Sequence, residues 1–158
     1  AFIDRALDGC GAEIAPVIGH GITQNRDHTA RIVNPHGFSM EWLRLQPGQR
    51  VSPFVLADKM VVIPRAAGVR VDLNDAGDVE VALGAWDTFS IPDGAVRSLV
   101  NTSAAAVEVL VVVSGDHQKR PRFRSDVIEA AYASGQALDA QGYVARAHLI
   151  PSYGLVAE

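Results

Sequence analysis

The sequence predicts an all-β protein whose strands form a sandwich or a barrel. Short runs of β-branched and aromatic residues recur at regular spacing between residues 38 and 114, and turn residues separate them. Two neighbouring runs also alternate apolar and polar residues with a period of two, as half-buried strands do. The 158 residues, 48% of them hydrophobic, suit one domain with a buried core.

The predicted strands follow one another in chain order. The first, "FSMEWLRL" (38–45), ends at the turn "QPGQ". "VSPFVL" (51–56) and "KMVVIP" (59–64) follow, and Pro53 makes the former a bent or edge strand because proline has no N–H to donate. "GVRVDLN" and "DVEVALG" form a hairpin through the short turn "DAG" (75–77). "DTFSIP", "AVRSLVN" and "AVEVLVVVS" complete the series.

The flanking segments are predicted to differ from this strand series. Residues 1–37 read as an irregular lead-in that opens with a short helix over "AFIDRALD" and ends it at Gly9. After the barrel segment, 38–115, residues 116–158 read as a connector, a helix and a tail. The connector "DHQKRPRFR" is basic, and the helix "SDVIEAAYASG" has Asp126 as its N-cap and Gly135 as its stop. "LDAQGYVA" is a turn with a last short strand.

Charge and composition exclude some classes of function. The formal net charge is −4 with scattered arginines, so we expect no nucleic-acid partner, which would require a basic face. No apolar run reaches the length of a membrane span, so no membrane partner is expected. The chain has one cysteine, Cys10, and no charged-then-apolar opening segment, which favours a cytoplasmic location.

Two turn-and-strand segments resemble the two motifs of the cupin superfamily. In "WDTFSIPDGAVRSLVN", Pro92, Gly94, Arg97 and Asn101 fall on the spacing of the second motif. "PGQRVSPFVLADKMVVIPRAAG" has the length and turn positions of the first. The resemblance covers residues 30–115 and implies a cupin-type double-stranded β-helix, or jelly-roll barrel, followed by a C-terminal helix.

The resemblance also identifies where a typical cupin holds its metal. Those places fall on Phe54, Leu56, Met60 and Arg97. Phenylalanine and leucine have no donor atom, a lone thioether does not hold a hard divalent ion, and arginine is a fixed cation that repels one. We therefore expect no metal and no other cofactor in this chain, and we expect Phe54, Leu56 and Met60 to be barrel core.

Arg97 and His36 are the candidate catalytic residues, although their roles stay open. An inward-facing Arg97 either pairs with a nearby carboxylate or carbonyl group, or it binds an anionic ligand with its planar fork. The carboxylates on neighbouring segments are Glu41, Asp58, Asp87 and Glu108. His36 stands in the turn "NPHGF" just before the first strong strand, near the expected mouth of the barrel.

Several segments resemble the cupin dioxygenases of aromatic catabolism: "NPHGFSMEWLRLQPG", "PDGAVRSLVN" and the tail from 115 to 143. In two-subunit ring-cleaving enzymes of the hydroquinone dioxygenase kind, a small cupin chain accompanies a larger one that carries the iron. The resemblance implies a non-catalytic small or accessory subunit, or one half of a bicupin. Its partner would be that larger cupin or a second copy of itself.

One alternative is a metal-independent cupin that binds or isomerises a small anionic or aromatic molecule. His36 would then act with Asp87 or Glu41 in proton transfer, and Arg97 would hold the anion. An open barrel interior with converging polar groups would favour this alternative, and a filled interior would favour the accessory role.

Overall fold

The computed structural model describes residues 2–4, 11–22, 25, 29–139 and 144–146. Within these ranges the chain forms thirteen strands and one helix. The strands are β1 (Ile3–Asp4), β2 (Glu13–Ile18), β3 (Phe38–Leu45), β4 (Phe54–Val55), β5 (Met60–Pro64), β6 (Val69–Leu73), β7 (Val79–Leu83), β8 (Phe89–Ile91), β9 (Val96–Asn101), β10 (Val107–Ser114), β11 (Arg122–Phe123), β12 (Gln136–Leu138) and β13 (Val144–Arg146); the helix is α1 (Ser125–Ala133).

The strands build two antiparallel sheets that pack face to face. The large sheet has the order β1-β2-β3-β10-β5-β8, and the small sheet has the order β11-β4-β9-β6-β7. Strands that are consecutive in sequence repeatedly change sheet, as in a jelly roll. The predicted all-β barrel with a helix after it is therefore confirmed. β12 and β13 form a separate two-stranded ribbon near the C-terminus.

The core lies between the two sheets because alternate residues of each strand point inward. On β10, Val107, Val109, Val111 and Val113 are buried, while the residues between them are half-buried on the outer face. The small sheet supplies the opposite wall, including Val69, Val71 and Leu99. Packing these apolar surfaces against each other supplies the main free energy that holds the sheets together.

The N-terminal segment differs from its prediction. Ile3 and Asp4 are in a strand that pairs with residues 13 and 14, rather than in a helix. Residues 13–18 of the expected irregular lead-in form β2, which pairs with β3. β2 contains Pro16, which has no N–H to donate, and the ladder accommodates it next to a register shift between Pro16 and Ile18. Cys10 and the predicted stop at Gly9 lie outside the described residues.

The C-terminal segment also differs in two respects. Part of the connector forms β11, which pairs with β4 and so enters the small sheet. The helix begins one residue before Asp126, and Arg124 stands at the N-cap without a side-chain cap bond. Asp126 is therefore not the N-cap but lies in the first turn of the helix, where its carboxylate accepts two hydrogen bonds from the Arg124 guanidinium. Gly135 follows the helix with φ +80°, as the predicted stop requires.

Across the described residues, no helix combines the length and the apolar character that crossing a bilayer requires.

Candidate functional site

The structure brings the two motif segments together inside the barrel. Phe54 on β4 lies directly opposite Arg97 on β9 in the antiparallel register. The carbonyl group of Leu56, just beyond β4, accepts a hydrogen bond of 2.8 Å from the amide of Gly94 in the second motif. Met60 begins β5 and pairs with β8 and β10. The side chains of Phe54, Leu56, Met60 and Arg97 are each at most 2% exposed.

These side chains do not fit the metal that the fold usually holds. A divalent metal site needs imidazole, carboxylate or thiolate donors that converge on one point. The four positions where a typical cupin has its metal ligands hold an aromatic ring, an aliphatic chain, one thioether and one fixed cation. Nowhere in the described part of the chain do three His, Cys, Asp or Glu side chains cluster as metal ligands would. Phe54, Leu56, Met60 and Arg97 therefore do not fit a divalent metal at these four places.

The barrel interior is almost filled by its own side chains. A cavity of about 10 Å³ lies between the two sheets, which is room for about one water. Its lining is Ile22, Glu41, Leu43, Val51, Phe54, Met60, Leu99 and Val111. The polar member is Glu41, which is 3% exposed and whose Oε2 accepts a hydrogen bond of 3.1 Å from the amide of Ile22. This space is far smaller than a pocket for an organic ligand.

Arg97 is fully buried with little polar compensation. Its Nη2 donates a 2.6 Å hydrogen bond to the carbonyl of Pro92, while Nε and Nη1 have no partner among the described residues. The guanidinium lies 5.7 Å from the centre of the Phe54 ring, within the range of a cation–π contact. Burial lowers the pKa of Arg97, and the charges of Asp58 and Asp93 oppose that shift.

The carboxylates expected near Arg97 have mostly other roles. Asp58 acts on it through its charge, but Glu108 lies on the outer face of the large sheet, bonded to Arg44 and Arg65. The carboxylate of Asp87 accepts a hydrogen bond from the backbone amide of Gly84 within a turn. Glu41 faces the small cavity described above. Their sequence proximity did not indicate which face of a strand each would occupy.

His36 lies outside the barrel interior. It is exposed, and its Nδ1 is 2.6 Å from the carbonyl oxygen of Asn34. The carboxylate of Asp116 accepts hydrogen bonds from the backbone amides of His36 and Gly37, and these bonds fix the turn. A cleft of about 330 Å³, lined in part by His20, Asn34 and Asp116, adjoins the turn. His36 and Arg97 thus belong to different regions, one exposed and one buried.

A second buried cation was missed by the sequence analysis. Lys119, which belongs to the predicted basic connector, is 1% exposed. Its Nζ donates hydrogen bonds of 2.6 Å and 2.7 Å to the carbonyls of Ser114 and Gly115, at the end of β10. Burial lowers the pKa of Lys119, while Asp58 and Asp116 oppose the shift. Neighbouring lysines and arginines in sequence gave no signal that distinguished Lys119.

A polar cleft of about 350 Å³ lies outside the barrel, between the outer face of the small sheet and the start of α1. Four of its charged groups, Arg50, Asp72, Arg124 and Asp126, are paired within the chain. Asp72 bonds to Arg70 and lies 3.6 Å from Arg50, and Arg124 bonds to Asp126. Most of the charge that lines the cleft is therefore compensated by pairs within the chain.

Solved structures similar to this chain are cupins. A cupin 2 domain-containing protein from Halorhodospira halophila aligns with a TM-score of 0.56 and 17% identity over 77% of this chain and 77% of its own. A cupin-2 domain from Rhodospirillum rubrum aligns with a TM-score of 0.55 and 13% identity over 78% of this chain and 70% of its own.

A recombinant oxalate oxidase in complex with glycolate aligns with a TM-score of 0.55 and 16% identity over 73% of this chain and 56% of its own. The chain spans about half the length of the oxalate oxidases that it matches, from 46% to 56%. No family model and no curated protein sequence matches the chain. The structural likeness establishes the cupin fold that the motif resemblance implied.

Proposed function

We propose that this chain is a metal-free accessory subunit, or the corresponding half of a bicupin, in a cupin dioxygenase that cleaves aromatic rings. The observation that carries the proposal is the occupation of the usual ligand places by buried Phe54, Leu56, Met60 and Arg97. The substrate class comes from the likeness of three segments to cupin dioxygenases of aromatic catabolism.

The size of the interior cavity supports a non-catalytic role. A pocket that encloses an organic ligand measures roughly 300–1,000 Å³, whereas the barrel cavity offers about 10 Å³. An aromatic ring would have to displace core side chains in order to enter. Iron and substrate would therefore bind in the larger cupin chain, and this chain would contribute surface and stability to the assembly in the cytoplasm.

The geometry gives less support to a metal-independent isomerase or binding protein. That function needs His36 and Arg97 to face one ligand, together with Asp87 or Glu41. His36 and Asp87 are exposed, whereas Arg97 and Glu41 are buried. The cavity next to Glu41 is also too small for a small-molecule substrate.

Copurification from the native source tests the proposed role. The tagged chain should retain a larger cupin chain, identified by mass spectrometry, with about one iron bound per larger chain. Ring cleavage should require that larger chain and be absent from the tagged chain alone. If the isolated chain retains about one iron and cleaves a ring by itself, the proposal is wrong.

Met60→Leu provides a matched control for the iron assignment. It removes the single thioether from the four ligand places while nearly preserving volume, a change that costs under about 1.5 kcal/mol in most cores. We expect the iron content and the ring-cleavage rate of the complex to stay as in the wild type. A loss of iron from the complex would place a ligand in this chain.

A further inference from the structure

The polar cleft beside the small sheet has the size of a small-molecule site. Its volume is about 350 Å³, near the lower end of the range of roughly 300–1,000 Å³ for ligand pockets. Three parts of the chain line it: the outer face of the small sheet, the turn between β6 and β7, and the start of α1. The charged groups that face into the cleft indicate which kind of molecule would fit.

Arg50 gives the cleft a positive end. Its Nη2 donates a 3.2 Å hydrogen bond to Ser98 Oγ and lies 3.6 Å from an oxygen of Asp72. The Asp72 side chain is only 6% exposed and is bonded at both oxygens by Arg70, whereas the Arg50 side chain is 50% exposed. Nε and Nη1 of Arg50 donate to no described residue. That edge of the guanidinium is therefore available to a carboxylate, which it suits geometrically.

Asp75 gives the cleft a negative end. It is exposed in the turn between β6 and β7, and within the described ranges its carboxylate has no hydrogen bond or ion pair. Arg124 acts on it through charge, but the three guanidinium nitrogens of Arg124 already bond to the Asp126 carboxylate and to the backbone carbonyl of Asp75. The carboxylate of Asp75 can therefore accept hydrogen bonds from a bound cation.

Apolar side chains and a short span complete the cleft. Pro53, Val96 and Val127 line it and are half-buried, so an aliphatic chain that covers them would displace water from apolar surface. Arg50 contacts Asp72, which precedes Asp75 by three residues, and three residues reach at most about 10 Å. A carboxylate and an ammonium joined by about five methylene groups fit such a span, because each ionic contact adds about 3 Å.

We propose that the polar cleft binds a small ω-amino acid, a zwitterion with its carboxylate and its ammonium at opposite ends of an aliphatic chain. Nε and Nη1 of Arg50 would bind the carboxylate, and the Asp75 carboxylate would bind the ammonium. The chain between them would lie against the apolar side chains. A ligand with two negative charges would meet Asp75, and one with two positive charges would meet Arg50, so the cleft disfavours both.

Both ends are held in position without a ligand. Ser98 is 1% exposed, and its hydroxyl group donates to the carbonyl of Val51 while it accepts from Arg50. The turn that carries Asp75 is closed by a 3.0 Å hydrogen bond from the amide of Gly77 to the carbonyl of Asn74. Groups that are already ordered lose less conformational entropy when a ligand binds.

Titration calorimetry with 6-aminohexanoate tests the class of ligand. The wild type should bind this probe with a dissociation constant of about 1 mM or lower at low salt. Hexanoate and hexylamine have the same chain length but one charge each. Each should bind at least about tenfold more weakly, because it loses one of the two charge-assisted contacts.

Two substitutions assign the two ends. Arg50→Gln should weaken 6-aminohexanoate and hexanoate at least about tenfold and leave hexylamine unchanged, whereas Asp75→Asn should weaken 6-aminohexanoate and hexylamine and leave hexanoate unchanged. Arg65→Gln and Asp78→Asn are the matched controls. Arg65 is 54% exposed beside the large sheet, and Asp78 is exposed just beyond the cleft lining. Both controls should bind within about twofold of wild type.

The inference does not depend on the proposed function, because the cleft lies outside the barrel. Absence of binding at about 20 mM 6-aminohexanoate would overturn it. So would equal affinity for the three probes, or equal effects of the cleft variants and their controls. If Arg50→Gln does not fold, Asp75→Asn decides, since the Asp75 carboxylate has no bond in the described structure that the substitution could remove.

Discussion

Among single residues, Arg97 departs furthest from the pattern of a metal-binding cupin. A histidine at this place would donate a lone pair to a metal, whereas the guanidinium carries its own positive charge into the barrel. It has one backbone acceptor, an aromatic ring and two carboxylate charges around it, and no direct ion pair within the described residues. Its burial therefore costs free energy that these contacts offset only in part.

Arg97→Met should leave the free energy of unfolding unchanged or raise it. Replacing a buried charged group by an apolar side chain of similar volume is often neutral or stabilising by about 1–4 kcal/mol. Urea unfolding at neutral pH measures the change, and Arg97→Ala, which leaves a cavity, should be destabilising by comparison. A loss of more than about 3 kcal/mol in Arg97→Met would show that the guanidinium has a strong partner.

Phe54→Ala should lower the free energy of unfolding by roughly 3–5 kcal/mol, as truncation of a core aromatic does. The ring is 2% exposed, and its centre lies 6.2 Å from that of Phe123. Val55→Ala, at the adjacent half-buried position, is the control and should lower the free energy of unfolding much less. A melting temperature of Phe54→Ala close to that of wild type would instead indicate that Phe54 lines an open site.

At the scale of the strands, a row of ion pairs on the outer face of the large sheet, formed by Glu13, Arg44, Glu108 and Arg65, ties together segments that are far apart in sequence. Glu108 on β10 bonds to Arg44 on β3 and to Arg65 after β5. The bond from Arg44 lowers the pKa of Glu108 most; burial opposes this, and Arg65 lowers the pKa further. A lowered pKa in the folded state means that the ionised carboxylate stabilises the fold.

The stabilisation from Glu108 should be present above its ordinary pKa of 4.5 and should disappear as the pH falls through the lower pKa of the folded state. Glu108→Gln should therefore reduce stability at neutral pH by about 1 kcal/mol or less, since the pair is partly exposed. The difference in the free energy of unfolding between wild type and variant should disappear below pH 4.5. Urea midpoints across a pH series measure this difference; a difference that stays constant into acid would contradict the ion pair.

At the scale of the whole molecule, the barrel does not end where its sequence motifs end. β11 adds an edge to the small sheet beside β4, and Phe123 packs against the core. Lys119 binds the carbonyls of Ser114 and Gly115 at the end of β10. The connector is therefore part of the folded barrel, although its composition resembles that of a solvated linker.

Two truncations should separate the connector from the helix. Ending the chain after Gly115 removes Lys119 and Phe123 and exposes Phe54, at a cost of about 3 kcal/mol or more. For a chain of this size we expect the melting temperature to fall by roughly 6–12 °C. Ending it after Arg124 keeps β11 and should lower the melting temperature much less. Equal losses in the two truncated chains would show that the helix, and not the connector, supports the barrel.

The sequence by itself determined the strand series, the turns and the filled ligand places. Each of these is a local property: alternation shows in a single strand, and side-chain chemistry at a motif position does not depend on the rest of the fold. The eight strands predicted between residues 38 and 114 all occur in the structure. The helix and its stop at Gly135 were also predictable, because a glycine stop is a local signal, although the predicted N-cap at Asp126 was wrong.

Only the tertiary structure decided the membership of the sheets and the partners of the charges. β2 and β11 are strands because β3 and β4 offer them hydrogen-bonding edges, and a proline or a basic run in sequence cannot reveal such an edge. The ion pairs of Arg44 with Glu13 and Glu108 form only when β2, β3 and β10 align. Interactions of this kind depend on register between distant segments, and register is set by how both sheets bury their apolar faces together.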